Sequence, residues 1–182
     1  WLCMPRFDSA ACFAALLGEP KHGRWLIAPN RKIKPYKNRA TPHVTRRYRG
    51  DSLILETEFR TSTGTVKVID FMPARGPDRT IVRIVEGVSG HVAMETELVI
   101  RFDYGVTIPW VNRIDSKTIT AIAGPNLLCV RTPVELRGEN MHSAARFTVK
   151  KGERVPFILS YRESHYEVPM SIDADIALEQ TE

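Results

Sequence analysis

Four consecutive residues near the start of the chain, Pro5, Arg6, Phe7 and Asp8, combine a fixed bend, a two-pronged planar cation, an aromatic face and a carboxylate. That set can hold a sugar, with hydroxyls on Arg6 and Asp8 and a pyranose ring on Phe7. The same residues also have a purely structural use, in which Arg6 pairs with Asp8, or Asp8 caps the following turns, and Phe7 enters the core. Trp1, Trp25 and Trp110 are further candidates for ring stacking. Trp110 follows Pro109 beside a turn and is the best placed of the three for sugar stacking, whereas Trp25 opens an apolar strand and reads as core. Glycoside hydrolysis with inversion needs two carboxyl groups held ~6.5–9.5 Å apart on rigid elements. Glu56, Glu58, Glu95 and Glu97 supply two pairs at i, i+2, but strand alternation turns them toward solvent, so no complete active site is read.

Other chemistries find little support. The histidines at 22, 43, 91, 142 and 165 show neither i, i+4 spacing nor H-E-x-x-H, so no metal site is expected, and no cofactor. Cys3, Cys12 and Cys129 are odd in number, lack C-x-x-C spacing and sit among apolar neighbours. They read as buried thiols in a reducing compartment, which points to the cytoplasm. No G-x-S-x-G elbow, Walker loop or G-x-G-x-x-G is present. No apolar run reaches the ~20 residues that cross a bilayer, and no signal-peptide series is present, so no membrane partner is expected. The chain starts at Trp1 without Met, which leaves room for a lost targeting segment.

The net charge of +5 is local in origin. Between Pro20 and Gly50 stand ten Lys or Arg residues and no acid, leaving 16 bases against 21 acids elsewhere. Lys32, Lys34, Lys37 and Arg39, with Tyr36 and Tyr48 interleaved, form a candidate polyanion patch that would act by counterion release and stacking. A solvated loop offsetting acidic surroundings explains the charges better, because the aromatic spacing of an RNA-binding sheet is missing. Nucleic acid is therefore not the expected partner.

The elements that must position these residues read as β-strands. A chain of 182 residues, 43% hydrophobic and 26% charged, is one globular domain with a real core. Residues 1–4 form a short strand, and residues 10–17 a short N-terminal helix stopped by Gly18. Residues 30–45 lack any period and read as a loop. Leu53, Leu55, Thr57 and Phe59 then alternate with Glu56, Glu58 and Arg60. Val66, Val68, Ile69 and Phe71 slip phase, which predicts a bulge between Val68 and Ile69. Turns are expected at residues 61–64, 75–78 and 89–90. The run 81–85 is apolar on both faces and central, and Val92 to Phe102 alternate cleanly. Short strands follow near residues 110–114, 118–123 and 127–132, then a hairpin pairing Ala145, Phe147 and Val149 with Val155, Phe157, Leu159 and Tyr161 across Lys151-Gly152. Many short strands with Gly and Pro turns predict an all-β antiparallel sandwich over residues 1–172. Residues 173–182 start a helix at an Asp173 cap that ends before it can bury its apolar side.

Several blocks carry a resemblance. Trp1-Leu-Cys-Met-Pro-Arg-Phe-Asp-Ser-Ala-Ala-Cys-Phe-Ala-Ala-Leu-Leu-Gly18 is followed in order by Gly23-Arg-Trp-Leu-Ile-Ala-Pro29 and Arg47-Tyr-Arg-Gly-Asp-Ser-Leu-Ile-Leu-Glu-Thr-Glu-Phe59. Val66-Lys-Val-Ile-Asp-Phe-Met-Pro73, Arg83-Ile-Val-Glu-Gly-Val-Ser-Gly90 and Glu97-Leu-Val-Ile-Arg-Phe-Asp-Tyr-Gly105 complete the series. Together they resemble the N-terminal domain of glycoside hydrolase family 15 proteins, the trehalase-like and glucoamylase-like group. The resemblance implies a non-catalytic sandwich of the super-sandwich type, preceding an (α/α)6 barrel that holds two catalytic glutamates of an inverting α-glucoside hydrolase. It implies that the barrel is the main partner, that Pro5, Arg6, Phe7 and Asp8 face it near its substrate mouth, and that residues 173–182 begin the connection to it. An exposed apolar patch is then expected where the barrel docks. Trehalose or an α-glucan would be met through that barrel. Relative to the family pattern a strand before Trp1 is missing, which would leave an edge open to dimerisation. The basic stretch 30–45 matches least. A stand-alone module binding carbohydrate or polyanion is the alternative.

Overall fold

In the computed structural model, which describes residues 1–30, 42–73, 76 and 78–182, the chain folds into two antiparallel sheets that share one strand. A small ribbon of β1 (Leu2–Cys3) and β2 (Ala11–Phe13) comes first, then β3 (Arg24–Pro29), β4 (His43–Tyr48), β5 (Leu55–Arg60) and β6 (Gly64–Phe71). The long β7 (Arg79–Val99) is followed by β8 (Trp110–Arg113), β9 (Thr118–Ala123) and β10 (Asn126–Arg131). Last come β11 (Arg137–Glu139), β12 (His142–Lys150), β13 (Arg154–Glu163) and the helix α1 (Ala174–Glu179). The larger sheet runs β4-β5-β6-β7-β13-β10-β9-β8, and the smaller one runs β3-β7-β12-β11.

Between the sheets lie Val66, Val68, Val85, Met94 and Phe157 at one end, and Leu98, Ile100, Phe102, Leu128 and Leu159 at the other, all buried. The other face of the larger sheet presents Ile54, Ile69, Phe71, Ile84 and Ile158, and α1 covers them with Ala174, Ala177 and Leu178. The helix starts where expected: the Asp173 carboxylate accepts from the N–H groups of Asp175 and Ile176 at 2.9 and 3.0 Å. Contrary to the sequence expectation, the helix does bury its apolar side.

That cover explains a second correction. Glu56 lies on the same side of β5 as Ile54, and it is only 5% exposed instead of facing water, whereas Leu53 is 86% exposed. Its carboxylate accepts from Arg47 Nε at 3.1 Å and from Arg49 Nε and Nη2 at 3.1 and 2.8 Å, and Lys67 stands 3.7 Å away. Arg49 also bonds Glu182, beyond α1. Burial pushes the Glu56 carboxyl up, and the hydrogen bonds from Arg49 and Arg47 with the charge of Lys67 outweigh that, leaving it below its ordinary value.

Other differences arise where a local signal has two meanings. Ala11–Phe13 is a strand, because its backbone is shared between β1 and the Arg101 N–H, which donates to Cys12 at 3.0 Å; the alanines fit a fully buried strand as well as a helix. Helical geometry is confined to the 3-10 turns Ala15–Leu17 and Pro20–His22. Ser89-Gly90 makes no hairpin: β7 passes unbroken from one sheet into the other at this point. Glycine serves close approach here, since a Cβ on Gly87 would lie 2.0 Å from the Lys150 carbonyl oxygen. The register shift in β6 falls between Thr65 and Val66, and Val68 and Ile69 are both buried because that strand is covered on both faces. β12 and β13 do not pair with each other; each pairs with β7, in different sheets. His43, Val44 and Thr45, expected in the loop of residues 30–45, lie within β4, an edge strand exposed throughout and bearing Arg46 and Arg47.

Candidate functional site

The ribbon β1–β2 holds the loop with the first candidate residues between two buried anchors, Met4 and Cys12. Arg6 Nε and Nη2 donate to the two carboxylate oxygens of Asp8 at 2.9 and 3.0 Å. Ser9 closes the turn, its N–H donating to the Arg6 carbonyl at 3.1 Å and its hydroxyl accepting from the Arg6 N–H at 3.2 Å. The Arg6 hydrogen bond holds the exposed Asp8 carboxyl below its ordinary value. Pro5 follows a cis peptide bond. Phe7 is not in the core: it is 91% exposed, at the tip of a loop whose polar groups bond one another.

At the opposite end of the ribbon, where Trp1 enters and the chain leaves Phe13, several apolar side chains are exposed. Trp1 leans on Tyr104 with ring centroids 5.5 Å apart. The turn Asp103–Gly105 sits on the Pro20–His22 turn so closely that a Cβ on Gly105 would approach His22 Cβ to 2.7 Å. Leu16, Leu17, Tyr104 and Val106 are all exposed. From residue 106 the chain enters β8, where Trp110 is 74% exposed with its indole N–H donating to Asn112 Oδ1 at 2.8 Å. Between residues 108–111 and the β11–β12 hairpin runs a mainly apolar groove of about 420 Å³, with Leu98, Ile100 and Arg101 on its floor and Met141 on its far wall. Trp25, by contrast, is half-buried under the Arg83 guanidinium, which stands 5.1 Å from its ring.

The four glutamates do not form one constellation. Glu56 and Glu58 belong to β5, while Glu95 and Glu97 belong to the part of β7 in the smaller sheet. Glu97 bonds Arg24 at 2.5 Å and, with Glu95, lines a polar hollow of about 470 Å³ beside Glu135, Arg137 and His142. Among the described residues no cluster of three His, Cys, Asp or Glu side chains could hold a metal ion. No helix of these residues is long and apolar enough to cross a membrane. The proposed polyanion patch, Lys32, Lys34, Lys37 and Arg39, lies outside the described residues. Burial pushes the Cys12 thiol up to about 12 and raises that of Cys129, so both are poor nucleophiles.

Structure thus gathers Arg6, Phe7 and Asp8 into one loop, and places Trp110 on a groove that sequence reasoning did not foresee. Met141 and Arg101 give no local warning of that groove. The one available signal was the Gly138-Glu-Asn-Met141 sequence, a turn-forming stretch between two strands.

Comparison with known proteins adds independent findings. Residues 1–175 match the family model described as trehalase-like, N-terminal. Over 106 residues the chain is 35% identical to Trehalase 2 of Sulfolobus acidocaldarius, a match covering 58% of this chain and 16% of that protein. It is 29% identical over 116 residues to Trehalase 1 of the same organism, covering 63% of this chain and 18% of the relative. The matched part therefore spans less than a fifth of either curated relative.

Proposed function

This chain belongs to the trehalase-like N-terminal domain family, and from that premise we propose that it is the accessory, non-catalytic domain of a glycoside hydrolase of family 15. The parent would hydrolyse an α-glucoside such as trehalose, with inversion, through a catalytic barrel carried by the rest of a longer polypeptide. The domain's own work is mechanical. It covers a face of that barrel and sets the loop of Arg6, Phe7 and Asp8 at the rim of its substrate mouth, with Phe7 as the projecting contact. The observation that carries this reading is the match of residues 1–175 to a trehalase-like N-terminal domain whose matched part is less than a fifth of its curated relatives, and the exposed Trp1, Leu16, Leu17, Val106 and Trp110 are side chains that a neighbour would bury. The length of the relatives provides such a neighbour.

The test is glucose release from trehalose and from maltooligosaccharides by the parent polypeptide, beside the 182-residue chain at equal concentration. Turnover by the parent alone supports the reading. Turnover by the short chain would overturn it. A second reading, sugar binding by the isolated domain, is favoured by the exposed ring of Trp110. It requires measurable α-glucan affinity that Trp110→Ala abolishes.

A further inference from the structure

The groove beside Trp110 has features that a merely exposed apolar strip lacks. Its far wall is the two-residue turn joining β11 to β12, where Asn140 and Met141 both take left-handed backbone angles, φ 45° and 62°. Glycine is the residue that such a turn favours at the second position. Met141 occupies it instead, and its side chain is 66% exposed above the groove. The near wall follows the 3-10 turn Asp103–Gly105, in which Asp103 and Tyr104 are also left-handed, φ 51° and 59°. Among the described residues these four are all the non-glycine residues with positive φ, and both turns border this one end of the molecule. Left-handed non-glycine residues gather where the surface has a use for the side chain they display.

The floor adds a charge. Arg101 donates from Nη1 to the Ile100 carbonyl at 2.7 Å and from Nη2 to the Met141 carbonyl at 3.1 Å. Arg83, Arg154 and Arg162 each hold a carboxylate, whereas Arg101 forms no ion pair among the described residues. Burial alone shifts its guanidinium, downward. A cation fixed by two carbonyls, partly stripped of water and lacking a counter-ion, is complementary to an anion arriving with apolar flanks.

We propose that this groove seats an apolar segment of the hydrolase portion of the parent polypeptide, with Met141 and Trp110 gripping its side chains and Arg101 meeting a carboxylate it carries. The assignment rests on the parent being such a hydrolase. The occupant follows from length and charge. More than four-fifths of each matched trehalase lies outside the aligned part, and a covalently attached neighbour has an effective concentration in the millimolar range, far above that of a second copy. A polyanion does not fit, since the groove sets the one arginine, Arg101, against a mainly apolar lining that also carries the Glu139 carboxylate.

Hydroxyl-radical footprinting of the parent polypeptide, read by peptide mass spectrometry at Met141 and Trp110, tests this alongside an assay of glucose release from trehalose and maltooligosaccharides. With the tethered segment docked more than ~90% of the time, both residues should oxidise about tenfold more slowly than in the 182-residue chain. Arg101→Glu in the parent should restore most of that reactivity, and Arg101→Lys should preserve the protection. Equal oxidation in parent and short chain, in a parent that hydrolyses either substrate, overturns the groove assignment and leaves the proposed function standing. A parent that hydrolyses neither removes the function and the assignment together. Protection that appears in the short chain as its concentration rises assigns the groove to a second copy, and overturns the proposal.

Discussion

Replacing Glu56 by Gln isolates the most deeply buried charge among the described residues. The side chain is 6% exposed, and its partners differ in their access to water: Arg47 is 72% exposed, Arg49 30% and Lys67 20%. Removing one partner of a sealed ion pair costs ~3–5 kcal/mol, because the other charge is left without compensation. Here Arg47 can return to solvent and only Arg49 and Lys67 stay crowded together, so the expected loss is nearer ~2 kcal/mol, in the range of hydrogen bonds to charged groups. For a chain of this size that lowers Tm by about 4–8 °C. Urea unfolding followed by far-UV circular dichroism measures it, with Glu58→Gln as control. Glu58 pairs with an Arg60 that is 65% exposed, so the control should leave the midpoint unchanged. The pH dependence has a definite sign. Glu56 titrates lower in the folded chain than the ordinary 4.5, so its stabilisation is complete above that value and is lost as pH falls through the folded pKa. The gap between wild type and Glu56→Gln should therefore close on acidification below about 4.5. A gap under ~0.5 kcal/mol at pH 7, or one that ignores pH, would refute the argument that Glu56 is a paired buried anion.

Three further outcomes follow from the packing. Gly87→Ala places a Cβ against the Lys150 carbonyl where β7 changes sheets, and should cost at least ~2 kcal/mol in urea unfolding; a neutral effect would mean the two strands can part there. Asp173→Ala removes the two N–H bonds at the start of α1 and should cost about 1 kcal/mol, with faster amide exchange at Asp175 and Ile176 as the local readout. Ellman's reagent should modify the half-buried Cys3 in the native chain, and Cys12 and Cys129 only after unfolding; a single common rate for all three would contradict their burial.

The parts of the fold that were legible are those in which one face of a strand meets one environment along its whole length. Val92, Met94, Thr96 and Leu98 are all buried as their alternation predicts, because that half of β7 lies in the smaller sheet with Ala93, Glu95 and Glu97 on its other side, and Ile100 and Phe102 stay buried just beyond the strand. Thr118–Ala123 was read to the residue for a similar reason, between clear turn signals on both sides. Reading failed where a distant segment changed the environment. Glu56 carries the pattern of a solvated face, and only the return of α1 and Glu182 across 126 positions turns that face inward. Ser89-Gly90 and Lys151-Gly152 are turn-like dipeptides placed where strands cross between layers, and local composition does not separate that use from a hairpin.

The candidate site divides along the same line of distance. Arg6 and Asp8 stand two positions apart, within reach of each other in almost any tight turn, so their pairing was among the arrangements open to the sequence reading. Phe7 shows the limit of that locality: the pairing fixes the loop but not the side to which its middle residue points, and the ring turned outward. Trp110 could be placed on the surface because Pro109 and a nearby turn bound its strand. Its groove could not be read, because the opposite wall comes from residues some thirty positions later and the floor from the end of β7 and the residues just after it. What distinguishes this groove is backbone conformation. A Met at a left-handed turn position and an arginine tied to carbonyls are each unremarkable in a sequence, and they gain meaning only when long-range pairing brings them to the same few hundred cubic ångströms of surface. Met141 at a position that favours glycine, beside a mainly apolar groove, is the feature from which the proposed docking of the hydrolase portion is argued.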